Sequence, residues 1–282
     1  MNIGDLAKPA TSLIERVSEA FGIVYAPTHV KRMARAEVEA DKIRAIGRLE
    51  VNELESRGLA RFVKDQARIQ ENLESITSKA VEDLAEDAKP EDIEEDWLAS
   101  FFEECKHISN PEMQTVWSRI LTGEANKPGT FSQRTIKLMA SMGKREAESF
   151  TALCTFVWMI GEMTPLIFEF NDPIYAEAGV NFNTIHNLAA LGLVNVVALG
   201  VIRPQIPKPI RVFYYGTPLA IESKIMPFDL PTGYVTLSQA GQELASICGS
   251  RPKDGFIEYC LNKWNAKRLI TYSPYPRQVA QS

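Results

Sequence analysis

The chain has 282 residues, 45% of them hydrophobic and 24% charged, with 16 Gly and 16 Pro. That composition belongs to a globular protein with a substantial core and excludes a wholly disordered or collagen-like chain. A formal net charge of -5 at pH 7 gives no general attraction to nucleic acid or anionic membrane, so either partner would need a local basic patch.

Residues 4–25 repeat apolar side chains at helical spacing: Leu13, Ile14, Val17, Ala20, Phe21 and Val24, with Glu15, Arg16 and Glu19 opposite. We expect this face to pack in the core or on a partner helix. Membrane contact through residues 4–25 is the alternative, weakened by a polar face poor in Lys and Arg. Met1–Ala10 carries Asp5 before its first positive charge and no apolar stretch with a small-residue cleavage site, so no signal peptide is read and the expected location is cytoplasmic. The most apolar runs, 153–170 and 188–202, are broken by Glu162, Pro165 and Glu169 and by Asn195 and two glycines. Both fall short of the ~20 apolar residues a membrane span requires.

From Thr28 to Lys89 the chain is rich in Ala, Glu, Lys, Arg, Leu and Gln without proline, a composition for long helix. Phe62, Ile69, Leu73, Ile76, Ala80 and Leu84 form a narrow stripe suited to an antiparallel hairpin or a coiled coil, so we expect a homo-oligomer. Charge is uneven. Residues 31–70 balance to +3, whereas 71–104 hold thirteen acids against two lysines. The acidic run reads as a solvated face and linker, or as a segment that docks on a basic surface.

Residues 96–150 parse as three helices. Trp97, Leu98, Phe101 and Phe102 face inward on the first. Ser109 or Asn110 caps the second, with Pro111 at its first position and Met113, Val116, Trp117, Ile120 and Leu121 inward. Lys127-Pro128-Gly129 makes a turn, and Ser132 caps the third helix, which carries Ile136, Leu138, Met139 and Met142. The pattern D-W-x3-F-F, S-N-x-E-M-Q-x2-W-x-R-I-L-x-G-E, P-G-x-F-S-x-R-T resembles the bacterial family catalogued as domain of unknown function 2806. The resemblance implies no activity, cofactor or catalytic residue, and similar helical proteins are associated with phage defence. Its polar residues Arg119, Glu124 and Arg134, with Thr135, read as structural beside Trp97 and Trp117: Glu124 is expected to pair with Arg119 or Arg134 across the turn.

After Phe150 short apolar runs alternate with Gly, Pro and Asn. Phe150–Ile160 reads as a buried helix, Leu166–Phe170 as a strand and Asn181–Leu193 as a helix. Val194–Ile202 and Ile210–Tyr215 read as a hairpin, and Tyr234–Ile247 as a strand entering a helix. Together L-x2-L-G-L-V, a hairpin and V-T-L-S-x2-G-x2-L look like a winged-helix fold. The would-be recognition helix presents Asn183, Thr184, His186 and Asn187, with no cation for phosphate, so DNA contact would fall to Arg203, Lys208 and Arg211. The tail from Arg251 interleaves Lys263, Lys267, Arg268 and Arg277 with Tyr259, Trp264, Tyr272 and Tyr275, a pattern that stacks on single strands or solvates the cations of a packed helix.

No catalytic, cofactor or metal motif is found. His29, His107 and His186 have no partner at ligand spacing, phosphate-binding glycine loops and nucleophile elbows are missing, and Cys105, Cys154, Cys248 and Cys260 lie far apart with no C-x-x-C. The expected fold is mainly α: long N-terminal helices (1–95), a central helical domain (96–150) and an α+β winged-helix-like domain with a basic aromatic tail (151–282). The expected function is that of a non-enzymatic interaction or sensor protein, self-associating and contacting a protein partner, in phage defence or stress response. Nucleic acid is a less favoured partner, as in a transcription regulator; a membrane-acting defence effector is the other alternative.

Overall fold

A computed structural model of the protein describes residues 8–21 and 53–272. The helix expected over 28–52, the ends of the 4–25 segment, and Tyr275 and Arg277 lie outside the described residues. The chain divides into two compact units, Met1–Ala140 and Ser141–Ser282, so the expected central domain is split near residue 140.

The described part of the first unit is helical. Helix α1 (Lys8–Phe21) packs on a single 3-10 turn at Pro90–Asp92 and on α3 (Glu95–Cys105). Leu13, Ile14 and Val17, the apolar face weighed for membrane contact, are buried there. Arg16 Nη2 donates to the Ile93 carbonyl at 2.6 Å. No helix among the described residues is long and apolar enough to cross a membrane. Helix α2 (Glu53–Glu82) packs its C-terminal half along α4 (Pro111–Asn126). Leu73, Ile76 and Ala80 of the anticipated stripe are buried, while Phe62 is 59% exposed.

The motif segment forms α3, α4 and α5 (Gln133–Ser141). Asn110 Oδ1 accepts from the N–H groups of Glu112 and Met113, and Pro111 occupies the position where no N–H is needed. Trp97 stacks on Phe101 at 5.1 Å, and Phe101 meets Trp117 edge-on at 5.3 Å. Such pairs add about 1 kcal/mol each beyond area burial.

The second unit overturns the mainly α, winged-helix reading: seven strands form two antiparallel sheets among the described residues. Helix α6 (Lys144–Cys154) ends early, and the run expected to continue it folds into a hairpin of β1 (Val157–Ile160) and β2 (Glu162–Pro165). Trp158 and Ile160 are buried while Met159 points out, and Gly161 turns the chain at φ +77°. Alternation won over helical spacing because Val157, Trp158 and Ile160 all favour the pleat. Leu166–Phe170 does not form the expected strand; Ile167 makes an isolated parallel bridge to Gly233.

A short helix α7 (Pro173–Ala176) precedes α8 (Phe182–Ala190). The expected wing does not form. Strand β3 (Val194–Ile206) pairs with β6 (Phe228–Leu237), whereas β4 (Ile210–Tyr214) joins β1, β5 (Thr217–Ser223) and the terminal β7 (Leu269–Tyr272) in the order β2-β1-β4-β5-β7. Pro204, Pro207 and Pro209 cannot donate a ladder hydrogen bond, so the chain leaves one sheet and enters the other instead of turning back on itself. Ser238 caps α9 (Gln239–Ala245), its Oγ accepting from Gly241 N and donating to the Gly192 carbonyl. Helix α10 (Phe256–Ala266) buries Phe256, Cys260 and Trp264, and Trp158 lies between Tyr214 (stacked, 5.1 Å) and Trp264 (edge-on, 5.3 Å).

Candidate functional site: a basic cleft between two sheets

The two sheets of the second unit diverge where the β1–β2 turn, the far half of β3, the 206–211 crossover, β6 and the start of α9 meet. The cleft between them has a volume of about 730 Å³, within the range of small-molecule and peptide-side-chain sites. Ile160, Met163, Val201, Ile202, Ile206 and Ile210 supply its apolar lining, and Thr164, Thr232, Thr236 and Gln242 its neutral polar groups.

Three cations reach this cleft: Arg203, Lys208 and Arg211. They are the three that the sequence reading assigned to a DNA-contacting wing. The structure brings them together for another reason, the crossover between sheets. Arg203, half-buried on β3, donates through Nη2 to Glu162 Oε1 at 2.8 Å and to Thr164 Oγ1 at 3.3 Å. Gly161 makes room for it, since a β-carbon there would lie 3.3 Å from Arg203 Nη1. Lys208 and Arg211 are exposed, and no ion pair holds either of them among the described residues. Glu162 is the only carboxylate on the lining, so the cleft is net positive.

The walls are fixed from behind. Gln242 Nε2 donates to the Met163 carbonyl at 2.6 Å, tying α9 to β2. Thr232 Oγ1 donates to the Val201 carbonyl at 3.2 Å across the irregular β3–β6 pairing. Gly233 sits at φ +98° with its α-carbon so near Ile167 that a β-carbon would lie 2.2 Å from the Ile167 carbonyl oxygen. Sequence reasoning missed Glu162, Thr164 and Gln242. Arg203 and Glu162 stand 41 residues apart, and only the pairing of distant strands unites them.

The remaining residues singled out from sequence have other settings. Lys263 is tied down: its Nζ meets Glu169 Oε1 at 2.5 Å and Asp172 Oδ2 at 3.1 Å, and Tyr259 Oη also donates to Asp172. Burial opposes the charge on Asp172, but the hydrogen bonds from Tyr259 and Lys263 outweigh it and hold the carboxyl below its ordinary range. Burial likewise opposes the charge on Lys263, and Glu169 and Asp172 overcome it to raise the ammonium above its ordinary value. Lys267 and Arg268 are exposed at the end of α10, apart from the cleft lining.

In the first unit, Glu124 is 3% exposed and accepts from Gly129 N at 2.6 Å and Phe131 N at 2.9 Å. The Glu124 carboxylate thus ties the turn through its amides, while Trp97 Nε1 donates to the Phe131 carbonyl at 2.6 Å. Arg119 is half-buried on α4 and Arg134 exposed on α5. No group of three or more His, Cys, Asp or Glu among the described residues is placed to hold a metal ion. On α8, the exposed His186 lies against Phe182, ring centroids 4.0 Å apart.

The class so defined is an α+β protein of two units with a cation-rimmed cleft in the second. The family model described as "Protein of unknown function (DUF2806)" matches residues 56–261, and the chain belongs to that family. No curated protein matches the chain. No solved structure matches it either.

Proposed function

We propose that this chain is a non-enzymatic interaction protein whose second unit grips a carboxylate-rich protein segment at the basic cleft. The observation that carries the reading is the convergence of Arg203, Lys208 and Arg211 on one concave surface with a single opposing carboxylate. Folding leaves the two outer cations unspent, so their charge is available to a ligand. A protein segment is favoured over nucleic acid. Helix α8 carries no Lys or Arg, and the apolar lining suits aliphatic side chains beside carboxylates.

A second copy of the chain is the nearest source of such a segment. Every Asp and Glu from Glu82 to Asp96 is exposed, and none forms an ion pair among the described residues. Charge pairing of that stretch with the cleft of another copy would give the self-association expected from sequence, steering the encounter more than tightening it. The test is multi-angle light scattering across ionic strength. The reading expects an oligomer at low salt that dissociates near 1 M, where screening reaches about 3 Å, and a monomer throughout for the Lys208→Glu/Arg211→Glu variant. A wild-type monomer at low salt, or an oligomer indifferent to both salt and variant, contradicts the contact between copies. Saturable binding of a duplex or single-stranded oligonucleotide, with none of an acidic peptide, contradicts the protein-segment reading.

A further inference from the structure

We propose that Cys248 and Cys154 form a peroxide-sensitive thiol pair, in which Cys248 is oxidised first and Cys154 then closes a disulfide with it. The two are distant in sequence. The fold brings the two segments together, Cys154 at the last turn of α6 and Cys248 just past α9, with Thr151 of the one bonded to the Cys248 carbonyl of the other. Both are free thiols.

Three contacts hold the two segments together independently of the sulfurs. Thr151 Oγ1 donates to the Cys248 carbonyl at 3.4 Å. Tyr215 Oη lies 3.1 Å from the Cys154 carbonyl, to which it donates, and 2.5 Å from Ser250 Oγ. The chain around Cys248 is therefore pinned to the end of α6 on both sides.

The surroundings divide the roles. Cys154 is 2% exposed, whereas Cys248 is half-buried. Cys248 Sγ lies 3.4 Å from the Ala245 carbonyl, which accepts its proton in the thiol form, and 3.5 Å from Ser250 Oγ. The hydrogen bond from the Cys154 thiol is the largest influence on Cys248. It overcomes burial, with help from Ser250, and lowers the Cys248 thiol to about 6, while the same contact and burial raise Cys154 well above its ordinary value. These influences favour the thiolate on Cys248 and the protonated thiol on Cys154, the division that a nucleophile and its resolving partner require.

The chemistry closes with hydrogen peroxide as oxidant. The Cys248 thiolate attacks one peroxide oxygen and the O–O bond breaks. Hydroxide leaves and takes up a proton as water, and Cys248 becomes a sulfenic acid. The Cys154 sulfur, its proton passing to the departing oxygen, then attacks Cys248 Sγ, the S–O bond breaks and a second water leaves. Two thiols lose two electrons and peroxide gains them; a dithiol reductant reverses the bond.

The test uses the folded full-length protein. It is treated with peroxide at pH 7, blocked with N-ethylmaleimide, unfolded, digested and analysed by mass spectrometry. The expected product is a Cys154–Cys248 cross-linked peptide, lost on dithiothreitol treatment, with Cys105 and Cys260 unoxidised. In Cys154→Ser a dimedone-reactive sulfenic acid should accumulate on Cys248 without the cross-link, and in Cys248→Ser neither should form. Without peroxide, iodoacetamide at pH 7 should label Cys248 about twofold faster than an ordinary thiol of equal exposure, a gain of about 30-fold in thiolate fraction being largely offset by the lower nucleophilicity of a low-pKa thiolate. Wild-type protein that yields no such cross-link, or links Cys248 only between chains, would overturn the proposal even if neither variant folds.

Discussion

The two units dispose of their charged side chains in opposite ways. In the first, the buried carboxylate of the motif, Glu124, is taken up by two backbone amides of its own turn, and the acids of 82–96 are left in solvent. In the second, Lys263 is consumed by Glu169 and Asp172, while Lys208 and Arg211 stand open beside a cleft. Charge alone therefore does not mark a site. The informative charge is one that the fold leaves unpaired on a concave surface.

Five variants sharpen that contrast, each read by denaturant unfolding. The largest loss is expected where charge plays no part: Trp117→Ala in the first unit or Trp264→Ala in the second, both fully buried, should each cost about 3–5 kcal/mol. Glu124→Ala should cost about 2–3 kcal/mol by stranding the Gly129 and Phe131 N–H groups. A cost below about 0.5 kcal/mol would show that those amides find water instead. Asp172→Asn should cost under about 1 kcal/mol, because the Lys263 pair is part-exposed and screened. The smallest effect on stability, within about 0.5 kcal/mol, is expected for Lys208→Glu/Arg211→Glu; a larger one would mean that these cations serve the fold after all.

The Asp172 tie also has a pH signature. Because the folded state depresses the Asp172 carboxyl, its contribution is present above the unfolded value near ~3.9 and is lost as pH falls through the lower folded value. Lys263 is raised, so its share is complete below ~10.4 and lost as pH rises through its folded value. The difference in stability between wild type and Asp172→Asn should therefore be flat from about pH 5 to 9 and shrink toward both ends. A difference that grew on acidification would refute the assignment.

The helical motif segment was legible because its signals are local: Asn110-Pro111 starts a helix, the Pro-Gly turn ends one, and the aromatic spacing marks a face. The second unit was not, because its architecture depends on which strands pair. A short run such as Val157–Ile160 fits helix or strand until the Gly161 turn and the alternate burial of Trp158 and Ile160 decide it. The adjacent runs at 194–206 and 210–214 invited a hairpin, and only their separate partners, β6 and β1 with β5, show that they part. The cations of the cleft were visible as residues but not as a site, and Cys154 and Cys248 were visible only as two isolated thiols.

The most direct measurement of the central claim is titration of a fluorescent peptide with the sequence of residues 82–96 into the full-length protein at low salt, read by anisotropy. The account predicts saturable binding that weakens as salt is added and is abolished in Lys208→Glu/Arg211→Glu. Binding that survives the double charge reversal unchanged, or no binding to the wild type, would contradict it.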